Sequence, residues 1–117
     1  MYEKTGNAIV DLSFEFALLI VAFCEKLEDK RKYVIARQLL KSGTSIGANV
    51  RESQSAESKA DFSHKLKIAD KEANESEYWL LICKHSEKYP YDNQLMDKLI
   101  SIKKLLSKII STSKRRG

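Results

Sequence analysis

The chain has 117 residues, a formal net charge of +5 and an isoelectric point near 9.2, and it is 43% hydrophobic and 32% charged. That length predicts a single domain with a real core, and the apolar share excludes a disordered chain. With only 4 Gly and 1 Pro, the composition argues against the recurrent turns of a β-sandwich or barrel as well, and it fits an all-α fold.

The N-terminus lacks a basic segment followed by a clean apolar stretch and a cleavage site, so no signal peptide is expected. The first helix is predicted from about residue 7 to 27, with Asn7 as its cap and Ile9, Leu12, Phe16, Leu19, Phe23 and Leu27 on one face. Phe14, Ala17 and Val21 form a second apolar strip, which asks for a second neighbour. The apolar run from Phe16 to Cys24 is shorter than the about 20 residues needed to cross a bilayer, so a soluble cytoplasmic protein without membrane contact is expected. Cys24 and Cys83 lie in separate apolar runs, without a CxxC or zinc spacing, and read as reduced core thiols.

After the charged turn Glu28-Asp29-Lys30-Arg31, the second helix is expected over about 32–55. Ala36, Leu40, Gly43, Gly47 and Val50 form its seam, and Ile35, Leu39, Ser42, Ile46 and Asn49 the neighbouring stripe. Each glycine costs about 1 kcal/mol against alanine in an exposed helix interior. Gly43 and Gly47 therefore signal a close helix approach. Ser58-Lys59-Ala60-Asp61 is a capping-box pattern that opens the third helix, over about 59–88. Its seam is Phe62, Leu66, Ala69, Ala73, Ser76, Leu80 and Cys83, small in the middle and expected to face the small residues of the second helix. Pro90 ends it. Asp92 caps a fourth helix over about 93–112 with the seam Leu95, Leu99, Ile102, Leu106 and Ile109, followed by a frayed basic tail, 113–117.

Connections of a few residues favour an antiparallel up-down-up-down four-helix bundle. The second strip of helix one, Trp79 and Ile82, and Ile100, Leu105 and Ile110 exceed what one such core needs, so assembly with identical chains is expected. Periodicity alone does not fix the subunit number.

Two segments hold the excess positive charge. The first comprises Lys30, Arg31, Lys32, Arg37, Lys41 and Arg51, and is the candidate nucleic-acid-binding set. The second comprises Lys98, Lys103, Lys104, Lys108, Lys114, Arg115 and Arg116. Lys and Arg supply phosphate contacts to RNA or DNA without sequence readout, although runs of charge also serve simply as solvated faces. No helix-turn-helix pairing, RRM signature or zinc finger sharpens the choice, and a protein-binding scaffold without nucleic-acid contact is the alternative.

Ser42, Ser45, Asn49 and Glu52 follow one stripe of the second helix, with Lys71, Glu72 and Glu75 on the third. A buried polar network of Ser45, Asn49, Glu52, Glu72 and Glu75 that fixes helix register is expected; a ligand site or a subunit contact are the alternatives. Di-iron bundles need Glu-x-x-His on two helices, and here Glu72 is followed at that spacing by Glu75. Asp61-x-x-His64 has no second copy, and His64 and His85 read as surface residues. No metal or other cofactor is expected. No Ser or Cys has a positioned base and no Gly-rich phosphate loop occurs, so the chain reads as non-enzymatic.

The stretch Ser45-Ile46-Gly47-Ala48-Asn49, Arg51-Glu52, Ser58-Lys59, Asp61-Phe62, Lys71-Glu72-Ala73 and Glu75 to Leu80 resembles the family of bacterial 23S rRNA intervening-sequence proteins. The resemblance implies an antiparallel four-helix bundle, typically assembled as a homopentamer, without established catalytic residues and with nucleic-acid binding as a working hypothesis. Similar folds occur in the accessory protein of diversity-generating retroelements. Val50 departs from the pattern, where many relatives carry a bulkier side chain; the difference concerns packing.

Overall fold

The computed structural model describes residues 2–116. It holds four helices, α1 (Ala8–Asp29), α2 (Tyr33–Ser53), α3 (Lys59–His85) and α4 (Asn93–Arg115), and no strand among the described residues. Each helix packs on the next and α4 returns to α1, so α1 lies diagonally opposite α3 and α2 opposite α4. Side chains tie the helix ends together. Asn7 Nδ2 donates to Gln54 Oε1 at 3.1 Å, and Lys59 Nζ donates to the Arg116 carbonyl at 2.8 Å.

Three of the helices start on the caps expected from the sequence. Asn7 accepts from the Val10 amide, Ser58 from the Asp61 amide and Asp92 from the Gln94 amide. Each satisfies an N–H that the first turn leaves without an intrahelical partner. Two ends differ from expectation. α3 stops at His85, short of Pro90, because Ser86 is already extended and Lys88 takes a left-handed φ of 66°. α4 runs on through Arg115, so residues 113–115 of the expected tail are helical; Gly117 lies outside the described residues.

Phe16, Ile20, Leu27, Leu39, Ile46, Leu66, Leu80, Leu99, Ile102 and Leu106 are fully buried and form the centre of the core. The seams of α3 and α4 are those expected. The seams of α1 and α2 are rotated. Ile20 and Leu39 are buried, whereas Leu19 and Leu40 are 38% and 40% exposed. A 3.6-residue period accepts either of two adjacent positions, and the glycines decide between them. A Cβ on Gly43 would stand 2.9 Å from Ile20 Cγ2, and one on Gly47 would stand 3.3 Å from the Ser13 carbonyl oxygen. Both glycines therefore admit α1. The small residues of α3 meet α2 through Ser76, whose hydroxyl donates to Ser42 Oγ at 2.9 Å inside the bundle.

The thiols of Cys24 and Cys83 are free and buried, and burial pushes them up to about 12 and about 11 respectively. Both stay protonated and unreactive near neutrality. They sit on the diagonal pair α1 and α3, whose Cα atoms nowhere approach within 8 Å, whereas a disulfide needs about 7 Å or less.

The N-terminal segment folds back along α1. Tyr2 stacks edge-on against Phe14 with ring centres 4.5 Å apart and donates to Glu15 Oε2 at 2.9 Å. Asp11 accepts from both the Thr5 amide and the Thr5 hydroxyl at 2.9 Å. The Thr5 amide, more than any other group, holds Asp11 below the ordinary carboxylate range, and the bond from Lys98 does the same for Glu15, with help from Tyr2. A carboxylate whose folded pKa is depressed stabilises the fold above its unfolded value, about 4, and loses that contribution as pH falls through the folded value. The melting temperature is thus expected to fall as pH drops from about 5 to below about 3. Lys98→Met should flatten part of that profile by removing the leading partner of Glu15, and an identical profile in this variant would contradict the assignment.

Candidate nucleic-acid interface

The six candidate cations lie along one side of α2 and the turn before it. α1 ends in a Schellman arrangement: the Lys32 amide donates to the Leu27 carbonyl and the Arg31 amide to the Glu28 carbonyl, both at 2.8 Å. Arg31 occupies the left-handed position of this cap, at φ 64°, where glycine is the usual residue because a Cβ costs energy there. Lys88, in the α3–α4 connection, has the same left-handed backbone. These are the two positive-φ non-glycine residues among the described residues, and both are basic.

The two connections meet at one end of the bundle. Lys32 Nζ lies 4.7 Å from the centre of the Tyr89 ring, and Lys84 Nζ lies 5.7 Å from that of Tyr91. Such placements are cation–π contacts. Lys84, Lys88, Tyr89 and Tyr91 thus join Lys30, Arg31 and Lys32 at this end. Sequence reasoning missed them, because nothing in the periodicity places the two connections together; Tyr flanking the only Pro was the available signal. The Tyr91 hydroxyl is buried with no hydrogen-bond partner among the described residues, and burial first, then Asp97 and Asp92, raises its pKa, which keeps it neutral.

Arg37, Lys41 and Arg51 share an outward stripe of α2 with Thr44 and Ala48, at helical spacing. Arg37, Lys41 and Arg51 are exposed, as are Lys30 and Arg31. None of these five side chains forms an ion pair or hydrogen bond among the described residues; the four ion pairs there use Lys4, Lys65, Lys98 and Lys103. From Lys32 to Arg51 the stripe is about 28 Å long, at 1.5 Å per residue. The set is therefore an elongated track and not a compact patch. Arg37 and Arg51 also border shallow apolar depressions between α1 and α2, lined by Val21 and Leu40 near Arg37 and by Phe14 and Ala17 near Arg51.

The expected polar network does not form as one unit. Ser45 Oγ donates to the Lys41 carbonyl at 2.7 Å and Asn49 Nδ2 to the Ser45 carbonyl at 2.9 Å, both within α2. Glu52 is exposed and pairs with Lys65 at 2.9 Å, and Glu75 accepts from Trp79 Nε1 at 3.1 Å. Glu72 is half-buried, and no hydrogen bond among the described residues joins its side chain to Asn49 or Glu52. This stripe runs along the border of the buried face, with Ser45 and Asn49 half-buried and Glu52 exposed, so the buried polar link between α2 and α3 is Ser42 with Ser76. Among the described residues no three His, Cys, Asp or Glu side chains gather as a metal cluster, and no helix is long and apolar enough to cross a membrane. His64 and His85 are exposed.

Part of the expected apolar surplus is covered within the chain, and other apolar side chains are exposed. Trp79, Leu105 and Ile110 pack on the chain's own core, and Tyr2 covers part of Phe14. Besides Tyr2, the large apolar side chains that remain exposed are Leu18 at 50%, Leu19 and Val21 on α1, Tyr33, Val34 at 64% and Leu40 on α2, Tyr78 and Leu81 on α3, and Ile100 on α4.

Arg31→Gly tests the strain at the α1 cap. Relief of the left-handed strain is expected to raise stability by about 1 kcal/mol, measured by chemical denaturation. A variant that is destabilised would contradict the strain assignment.

Residues 6–109 match the family described as 23S rRNA-intervening sequence protein. The chain is also similar to a crystal structure of a protein of unknown function from the S23 ribosomal protein family of Bacteroides thetaiotaomicron VPI-5482. The two are 45% identical, with a TM-score of 0.83, over 87% of this chain and 97% of that one. No curated protein matches significantly. With the helices, the caps and the SIGAN–RE and KEA–E–EYWL segments in place, the chain belongs to the 23S rRNA-intervening sequence protein family.

Proposed function

We propose that the protein is a non-enzymatic, cytoplasmic adaptor, an antiparallel up-down-up-down bundle that assembles as a homopentamer and holds RNA through the Lys30–Lys32 end and the Arg37–Lys41–Arg51 track. The observation that carries the reading is the pair of basic residues at strained backbone positions. Arg31 and Lys88 both stand where glycine would cost least, and both sit at the end where Lys32 meets Tyr89. Strain held at a solvent-exposed site is better explained by function than by stability. Five exposed cations without protein partners among the described residues are available for phosphates, and Tyr33, next to Lys32 and 52% exposed, offers a ring to unpaired bases. The join of α1 start to α2 end, and of α3 start to α4 end, supports the antiparallel order. The exposed Leu18, Val21 and Leu40 support self-assembly, and the number five rests on the family resemblance.

Fluorescence anisotropy of labelled structured RNA against the purified protein, over a series of salt concentrations, tests the proposal. Affinity should fall linearly on a log–log plot as phosphate contacts release counterions. Absence of binding at low salt would favour the second reading, a protein-binding scaffold. That reading is supported by the placement of Arg37 and Arg51 beside apolar depressions, a composition common at protein interfaces.

A further inference from the structure

At the opposite end of the bundle, where α3 begins and α4 ends, lies a trough of about 420 Å³. Phe62, Leu105 and Ile109 form its floor, and Lys59, Lys108 and Arg116 stand around it; no carboxylate lines it among the described residues. The continuation of α4 to Arg115 builds one wall. Lys59 Nζ, bound to the Arg116 carbonyl, and the Ser63–Ser113 hydroxyl contact at 3.3 Å hold the two walls together.

We propose that this trough receives an acidic amphipathic helix of a protein partner. The proposal does not rest on the RNA reading, which concerns the other end of the molecule. Charge selects the partner: cations on both walls and no acid among the lining residues call for carboxylates flanking an apolar stripe. The shape selects a helix. The trough is open along one side, whereas a small ligand needs most of its surface enclosed; an amphipathic helix needs only one face covered. An aliphatic floor with a single aromatic ring offers a nucleic acid little stacking. A second copy offers a less suitable face, because beside Val21 of α1 the carboxylates of Glu25 and Glu28 stand with Arg37 of α2, so their charge is already partly offset and does not match the cations of the trough as an all-acidic helix does.

The probe is a labelled synthetic peptide of about four helical turns, with leucine along one stripe and glutamate elsewhere. Two control peptides carry lysine for glutamate or serine for leucine. Anisotropy against the full chain should show the acidic leucine peptide binding at least about tenfold more tightly than either control. Lys108→Glu combined with Arg116→Glu, both at exposed positions, should abolish that preference without lowering the melting temperature, whereas Arg37→Glu should leave it unchanged. Equal binding of the serine control would reduce the trough to a charged surface and overturn the proposal. So would full affinity in the double variant. Competition by RNA without loss of RNA from the Lys30–Lys32 end would reassign the trough to nucleic acid. Dissociation of the protein into smaller units by the peptide would reassign it to a second copy.

Discussion

Gly43→Val is expected to destabilise the protein by about 3 kcal/mol or more, a large share of the about 5–15 kcal/mol that holds a domain folded. Even a bare Cβ at this position would stand 2.9 Å from Ile20 Cγ2 and 3.0 Å from its Cγ1. Those atoms belong to a β-branched side chain that is fully buried and cannot swing aside. The added methyls leave α1 and α2 the choice of separating or forcing Ile20 off its rotamer. Helix propensity favours the substitution by a few tenths of a kcal/mol, which is too little to compensate. Ile20→Ala alone should cost about 2–5 kcal/mol through the cavity it leaves. In the double variant the two changes share one volume, so their combined cost should fall short of the sum by about 1–3 kcal/mol. Urea denaturation of the four proteins provides the check. Additive costs would mean that Gly43 is not the socket for Ile20.

The second large effect falls on binding. Arg37→Glu with Lys41→Glu should weaken RNA binding by well over about tenfold at low salt and make the salt dependence shallower by about two counterions. Both side chains are exposed and neither forms an ion pair or hydrogen bond among the described residues, so the melting temperature should stay within about 1 °C to 2 °C of the parent, as for surface changes of under about 0.5 kcal/mol. The stripe geometry adds a graded expectation. Arg51→Glu, about 15 Å further along α2 than Lys41, should weaken short RNA less than long RNA. Unchanged binding in the double variant would remove the α2 track and leave only the Arg31–Lys88 end to carry the reading.

Much of the architecture is legible in the residue pattern. Asn7, Ser58 and Asp92 announce three helix starts because a short polar side chain before an apolar period has few other uses. The seams of α3 and α4 are legible because their four-three alternation leaves one face to bury. Those of α1 and α2 are not fully so. Leu19 and Ile20 satisfy the same period, as do Leu39 and Leu40, and only the hole at Gly43 selects Ile20. The polar stripe is legible only in part: it runs along the border of the buried face, so Ser42 is buried, Asn49 is half-buried and Glu52 is exposed, a gradation that residue types do not announce.

The candidate site is legible in part. The cations of α2 follow from helical spacing alone, since Arg37, Lys41 and Arg51 fall on one stripe once a helix is assumed. The contribution of Lys84, Lys88, Tyr89 and Tyr91 requires knowing that two connections more than fifty residues apart share one end of the bundle. Nor does any pattern of residue types mark Arg31 as left-handed, because glycine is the expected signal there and the sequence withholds it.

The measurement that bears most directly on the central claim is light scattering of the purified protein, alone and with structured RNA, at low and moderate salt. The account predicts the mass of a pentamer that grows when RNA is added and reverts as salt is raised. A monomer, or an assembly whose mass is indifferent to RNA at low salt, would contradict it.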